Sequence, residues 1–414
     1  LPDGPRWVQQ THLFADDAEP IDYFGCSVMI SGDTIVAGAY LDDTLAGIDA
    51  GSAYVFTRTS ETWSQQGHLF ADDAVADDRF GISVAISGDT VVVGTPYDTV
   101  ASESNVGSAY VFTRSSEIWS QQGHLFASDA ASGDKFGSSV AISGDTIVVG
   151  AVSDDTAAGD MAGSAYVFTR TAGIWSQEDH LFAGDAMSTD LFGNAVAILG
   201  NTIVVGAKSD DTLSANGAGS AYVFTRSGST WTQQARLFAD DADASDEFGY
   251  AVAISGESVA VGARSDDVGS NVDAGSVYVF TGSGSSWSQQ DHLFADDADA
   301  GDRFGESVAI SGDTLVVGAW MDDTDVGVDA GSAYVFARAG GVWRQQGHVF
   351  ADEAEAGQMN VFGESVSVSG ETIVVGTKSD NTDAGGQAGS AYVFLRRFLD
   401  FYVGEAPARS FLQH

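Results

Sequence analysis

Short runs of β-branched and aromatic residues, separated by glycine-rich turn signals, fill the chain, and no window shows the i, i+3, i+4, i+7 apolar spacing of an amphipathic helix. In one stretch, Phe80-Gly81-Ile82-Ser83-Val84-Ala85-Ile86 reads as a strand and Ser87-Gly88-Asp89 as a tight turn. Thr90-Val91-Val92-Val93-Gly94 then pairs back as a hairpin. An acidic loop leads to a third strand, Ser108 to Thr113. After Arg114-Ser115-Ser116-Glu117, the segment from Trp119 to Phe126 alternates as a half-exposed fourth.

This unit recurs. Trp7, Trp63, Trp119, Trp175, Trp231, Trp287 and Trp343 follow one another every 56 residues. Phe-Gly pairs begin at Phe24, Phe80, Phe136, Phe192, Phe248, Phe304 and Phe362, the last interval being 58, with the two extra residues around Gln358 to Asn360. A third marker, Gly-Ser-(Ala/Val)-Tyr-Val-Phe, opens at Gly51 and also recurs seven times. Four antiparallel strands repeated seven times predict an all-β, seven-bladed β-propeller over residues 1–395, with blades at 24–70, 80–126, 136–182, 192–238, 248–294, 304–350 and 362–394. The phase of the repeat predicts how the ring closes. The chain begins with a lone fourth strand, 7–14, and the repeats end with a blade lacking one, so the N-terminal strand should complete blade 7. An open solenoid would instead leave an apolar face at each end, and no polar capping repeat is visible. Residues 396–414 fall outside the repeat; Phe398, Leu399, Phe401 and Tyr402 make them too apolar for a plain linker, yet they are too short for a domain, and docking on the propeller, leading to a further domain and mediating assembly are the open alternatives.

Phe-Gly-x-Ser-Val at Phe80 to Val84, Val93-Gly94-Thr95 and the Tyr-Val-Phe strand resemble the FG-GAP repeat, the propeller repeat of integrin α-subunit heads. The resemblance covers roughly residues 6 to 395 in seven matches. It implies a non-catalytic recognition or adhesion module, extracellular or at the cell surface, that binds a protein or glycan. It also implies that the Phe-Gly strand is innermost and that the fourth-to-first and second-to-third loops share one face. One departure stands out. Many family members carry an Asp-x-Asp-x-Asp-Gly calcium loop between the first two strands, whereas here that connection is Ser-Gly-Asp-Thr or a close variant such as Leu199-Gly200-Asn201-Thr202.

Charge narrows the partners. With 59 acidic and 17 basic residues the net charge is −42, which excludes a nucleic-acid binder working through a basic surface. Lysine occurs only as Lys135, Lys208 and Lys378, and this acidic, lysine-poor surface suits high salt. A lone cysteine, Cys26, excludes an intramolecular disulfide, and no apolar run is long enough to span a membrane.

The shared loop face is rich in carboxylates. One loop set carries Asp78 and its equivalents two residues before Phe-Gly. The other carries Asp42 and Asp43, Asp154 and Asp155, Asp210 and Asp211, Asp266 and Asp267, and Asp322 and Asp323. Clustered carboxylates suit Ca²⁺, which takes 6 to 8 oxygen ligands, and the same residues also cap turns. The recurring histidines, His12 to His348, do not suggest zinc. They lie on fourth strands about 14 Å outside the innermost one, where blades diverge. No nucleophile elbow, metal-binding His pair or phosphate loop is present; a paired-carboxylate hydrolase acting on polysaccharide is the remaining enzymatic alternative.

Where the repeats disagree, function has room. After Val-Gly-(Ala/Thr) stand Tyr40, Pro96, Val152, Lys208, Arg264, Trp320 and Lys378; after Phe-Gly stand Cys26, Ile82, Ser138, Asn194, Tyr250, Glu306 and Glu364. Both positions should open near the axis. Tyr40, Lys208, Tyr250, Arg264, Trp320 and Lys378 therefore form a candidate arc for an anionic ligand or a sugar. The alternative is surface drift, with Lys208 paired to Asp210 or Asp211. A structural subunit of an extracellular assembly is the second functional reading.

Overall fold

The computed structural model describes residues 6–212, 215–324, 327–351 and 361–397, and among these every regular element is a β-strand. The 28 strands form seven four-stranded antiparallel sheets. A representative blade runs Phe136–Ser143, Thr146–Ala151, Ser164–Thr171 and Ile174–Leu181, joined in chain order. The last sheet orders Arg6–Leu13, Ser390–Arg397, Thr372–Thr377 and Ser365–Ser369, so the N-terminal strand is the outer strand of blade 7. Its partner runs to Arg397, opposite Arg6, past the repeat boundary expected at 395. The predicted tail beyond Arg397 and the insertion around Gln358 to Asn360 lie outside the described residues.

The core sits between blades. Each hydrophobic cluster joins neighbours, as where Phe24, Ile35 and Tyr54 of blade 1 meet Val374 and Val393 of blade 7. The middle strands Thr90–Thr95 and Thr146–Ala151 are buried throughout, which explains their uninterrupted apolar runs.

Phe-Gly owes its recurrence to backbone geometry. The ladder jumps from Phe136 opposite Ala151 to Ser139 opposite Gly150, leaving Gly137 and Ser138 between them as a bulge. Gly137 there has φ +95°, and a Cβ on it would lie 2.3 Å from the carbonyl oxygen of Ser108 in the preceding blade. In two blades the first strand therefore starts at Ser83 or Ser365 rather than at the Phe-Gly pair.

Neighbouring first strands are stitched around the axis. Ser83 Oγ donates to Gly137 O at 2.8 Å, and Ser365 Oγ donates to Gly25 O at 2.8 Å across the junction of blades 7 and 1. On the face of the short turns, an arginine of most blades joins its neighbour. Arg58 donates to Asp33 (2.7 Å) and to Thr372 of blade 7 (3.2 Å) and lies 5.1 Å from the Trp63 ring centroid; Arg114, Arg170 and Arg338 repeat the arrangement. Where blade 4 has Asn201 in place of the turn aspartate, Arg226 finds Glu178 of blade 3 at 3.5 Å, the one glutamate at a position otherwise held by glutamine.

Candidate functional site

On the opposite face the loop carboxylates divide into three roles. Asp42 is buried and accepts from Ser52 Oγ and from Tyr54 Oη (3.2 Å), with His68 Nε2 3.6 Å away. His68 stacks on Tyr54 at 4.5 Å and contacts Ser52 Oγ at 2.7 Å, while its Nδ1 lies 3.3 Å from Asp17 Oδ2. Asp98, Asp154, Asp266, Asp322 and Asp380 occupy the same place. Burial alone would raise these acids, yet bonds from His and Ser hold Asp98, Asp154 and Asp266 below the usual carboxylate range. In blade 4, Arg236 replaces the histidine and binds Asp185 (2.7 Å) and Asp210 (2.8 Å).

The order of contacts, Asp17 to His68 to Ser52, is that of a nucleophilic triad, but Ser52 is fully buried and its hydroxyl donates to Asp42. The group ties three loops and strands of a blade together. The sequence puts the histidine on the fourth strand without revealing these partners. Their signal was a constant spacing, Asp ten residues before Ser and His sixteen after it.

The second member of each pair turns a loop. Asp43 accepts the Asp49 amide at 2.9 Å, and Asp155, Asp211, Asp267 and Asp323 do the same for Met161, Gly217, Asp273 and Asp329. Asp78, buried, accepts the Val75 amide at 2.7 Å. No group of three or more candidate metal ligands converges among the described residues.

The carboxylates of Asp78's class carry a pH signature. Burial raises Asp22 and Asp302 to about 7 and Asp78, Asp134, Asp190 and Asp246 to about 6; one backbone N–H opposes the shift and nearby aspartates add to it. Between about pH 7 and 4 the folded chain thus holds protons that the unfolded chain has released, so stability must rise as pH falls through this window. The melting temperature at constant ionic strength is expected to climb from pH 8 to pH 5. It should fall again only below the usual carboxylate range, as Asp98, Asp154 and Asp266 protonate. Asp134→Asn should flatten the climb, and a melting temperature that is level or falling from pH 8 to 5 would refute the assignment.

Nearer the axis lies the irregular ring of positions. Arg264 bonds Glu247 (2.6 Å) and Glu306 (3.0 Å) and sits 3.7 Å from the Tyr250 ring centroid; Tyr250 Oη donates to Glu306 at 3.0 Å. Lys378 pairs with Glu364, whose carboxyl burial raises to about 7 against the pull of that lysine. Lys208 does not pair with Asp210 or Asp211, which are engaged as described. Its ammonium lies 4.8 Å from the Tyr250 centroid, and burial lowers its pKa. Trp320 Nε1 is buried without a hydrogen-bond partner among the described residues, and Tyr40 packs on Tyr23 at 5.6 Å. Lys208, Tyr250 and Arg264 thus form one cluster, with Glu306 as its hub. Burial pushes the nearby Cys26 thiol up to about 12, which keeps it un-ionised.

Three more residues join this mouth from the loops just before Phe-Gly. Arg79, Lys135 and Arg303 all have left-handed backbones, with φ of 58°, 56° and 60°. The set is a mixed-charge mouth in an acidic face, at the axis of a closed seven-bladed propeller. The repeats match the FG-GAP repeat over residues 7–56, 63–112, 119–168, 175–224, 231–280, 287–336 and 343–394, and the chain belongs to that family. FG-GAP propellers are generally non-enzymatic and typical of extracellular proteins. No curated protein matches the chain. A chain in the crystal structure of the mitotic checkpoint complex superposes with a TM-score of 0.55 at 12% identity, covering 94% of this chain and 95% of that one, a likeness of fold alone. No helix among the described residues is long and apolar enough to cross a membrane.

Proposed function

We infer that the protein is a non-catalytic recognition module, extracellular or at the cell surface, that engages a protein or glycan through the axial mouth of its loop face. The observation that carries this reading is where the repeats diverge. Seven units that agree in their core, and six of them in the His–Asp–Ser group, differ at the mouth, and all three lysines of a −42 chain lie there. A spacer subunit would gain nothing from cations in that one place. Tyr40, Lys208, Tyr250, Arg264, Trp320 and Lys378 form one wall of the mouth, braced by Glu247, Glu306 and Glu364.

The test is capture of ligands from glycan and displayed-peptide arrays by the immobilised propeller. Lys208→Glu should abolish capture, because it reverses a charge at the mouth. Ile174→Glu, on the exposed opposite face, should leave it intact. Capture that ignores Lys208→Glu, or that is lost equally with Ile174→Glu, would refute the loop-face reading.

A further inference from the structure

The cations of the mouth are not equivalent. Arg264 and Lys378 are neutralised by glutamates, and Arg303 is held by Asp273 at 3.2 Å. Arg79 and Lys135 stand at the same repeat position as Arg303, and neither has a carboxylate within ion-pair distance among the described residues. The reason is legible loop by loop. The backbone amides of Arg79, Lys135 and Arg303 bond the carbonyls of Asp49, Asn105 and Asp273, so these three are equivalent. At Lys135 the equivalent of Asp273 is Asn105, which carries no charge. At Arg79 the acid is present as Asp49, but the guanidinium turns to the Tyr97 ring instead, 4.6 Å from its centroid. Lys135 reaches the same ring at 5.9 Å. Two cations therefore gather on one tyrosine with no carboxylate in ion-pair contact, Asp49 acting on Arg79 from beyond that distance, and Arg79 Nε is buried without a hydrogen-bond partner among the described residues. Holding two like charges together in this way is unfavourable unless an anion completes the group.

We propose that Arg79, Lys135 and Tyr97 form a carboxylate-binding subsite whose occupant is an acidic side chain of a protein partner, set among neutral or basic residues. This deepens the recognition reading and rests on it. The surroundings select the class of partner. Exposed Asp72, Asp73, Asp77, Asp129 and Asp155 lie on the flanking loops. A uniformly anionic polysaccharide must cross this rim within a Debye length of about 8–10 Å and is repelled. A protein segment can present basic residues to the rim and a single carboxylate to the subsite, matching both signs. The guanidinium and ammonium would then donate charge-assisted hydrogen bonds to the carboxylate oxygens.

The experiment compares retention of two pentapeptide pools on the immobilised full-length chain, one fixed as Asp at the centre and one as Asn, with random flanks. The Asp pool should be retained at least tenfold better, its best members carrying basic flanks. The difference should vanish in Arg79→Gln/Lys135→Gln with an unchanged melting temperature. Should the double variant fold poorly, Lys135→Gln alone should still cut the difference several-fold. Equal retention of the two pools, or a difference that survives both variants, overturns the subsite. Tighter binding of trigalacturonate than of the Asp pool overturns the partner class. Capture that fails with Lys208→Glu but ignores both of these variants would sink the subsite while leaving the recognition module standing.

Discussion

Removing residues 1–13 is expected to leave a protein that aggregates or melts far below the intact chain. The deletion strips the outer strand of blade 7, exposing the edge of Ser390–Arg397 along seven residue pairings. It removes Leu13, 5% exposed, from the core between blades 7 and 1, and takes Trp7 off the core between blades 6 and 7. It also takes His12 from its stack on Tyr392 at 4.2 Å. A buried leucine contributes about 2 kcal/mol and each ladder hydrogen bond about 1 kcal/mol net, so the loss is on the order of 5 kcal/mol or more. That is a large part of ordinary domain stability. The unpaired edge then offers itself to other copies. Differential scanning calorimetry with light scattering reads both effects. A truncated protein that stays monomeric at an unchanged melting temperature would show that the ring does not need its latch.

Gly150→Val should be nearly as damaging, through a different mechanism. A Cβ on Gly150 would lie 2.0 Å from the carbonyl oxygen of Gly193 in the next blade and 2.4 Å from Ser139 Oγ. The obstacle is backbone, and the same approach recurs around the ring, from Gly38 against Gly81 to Gly376 against Gly25. One blade cannot move aside without opening the circle, so the variant should be insoluble or lose more than the roughly 1–3 kcal/mol usual for overpacking. Gly144 is the control. It lies in a tight turn at φ +59° with open space around its Cβ, so Gly144→Ala should cost only the left-handed backbone penalty of roughly 1–2 kcal/mol. Equal melting temperatures for the two variants would mean that the inter-blade approach is looser than the distances indicate.

The architecture was legible because it is periodic. Trp7 to Trp343 mark the blades, and the orphan strand at Trp7 predicts the latch that Arg6 and Arg397 complete. The site was legible in part. Comparing repeats located Lys208, Tyr250 and Arg264, which do form one cluster. Their state could not be read, because Glu247 and Glu306, 17 and 42 residues from Arg264, meet it only through blade geometry. The paired aspartates looked alike in sequence, yet burial separates Asp42, consumed by Ser52 and Tyr54, from Asp43, which turns a loop. Arg79, Lys135 and Tyr97 are not legible as a group in the sequence for a related reason. They come from two positions just outside the irregular ones, and only folding sets both cations on one ring.

The latch also fixes how the molecule responds to pulling. Arg6 and Arg397 sit side by side at the short-turn face, opposite the mouth. Tension applied through both points would open the outermost strand pair like a zipper, one residue pairing at a time, and would meet little resistance. Tension between a partner seated at the mouth and either single point would load the strands of a blade lengthwise, so that many hydrogen bonds share it at once. Single-molecule stretching should therefore find low unfolding forces in the first geometry and high ones in the second. A propeller of this build would hold a partner at its mouth best when tethered by one end.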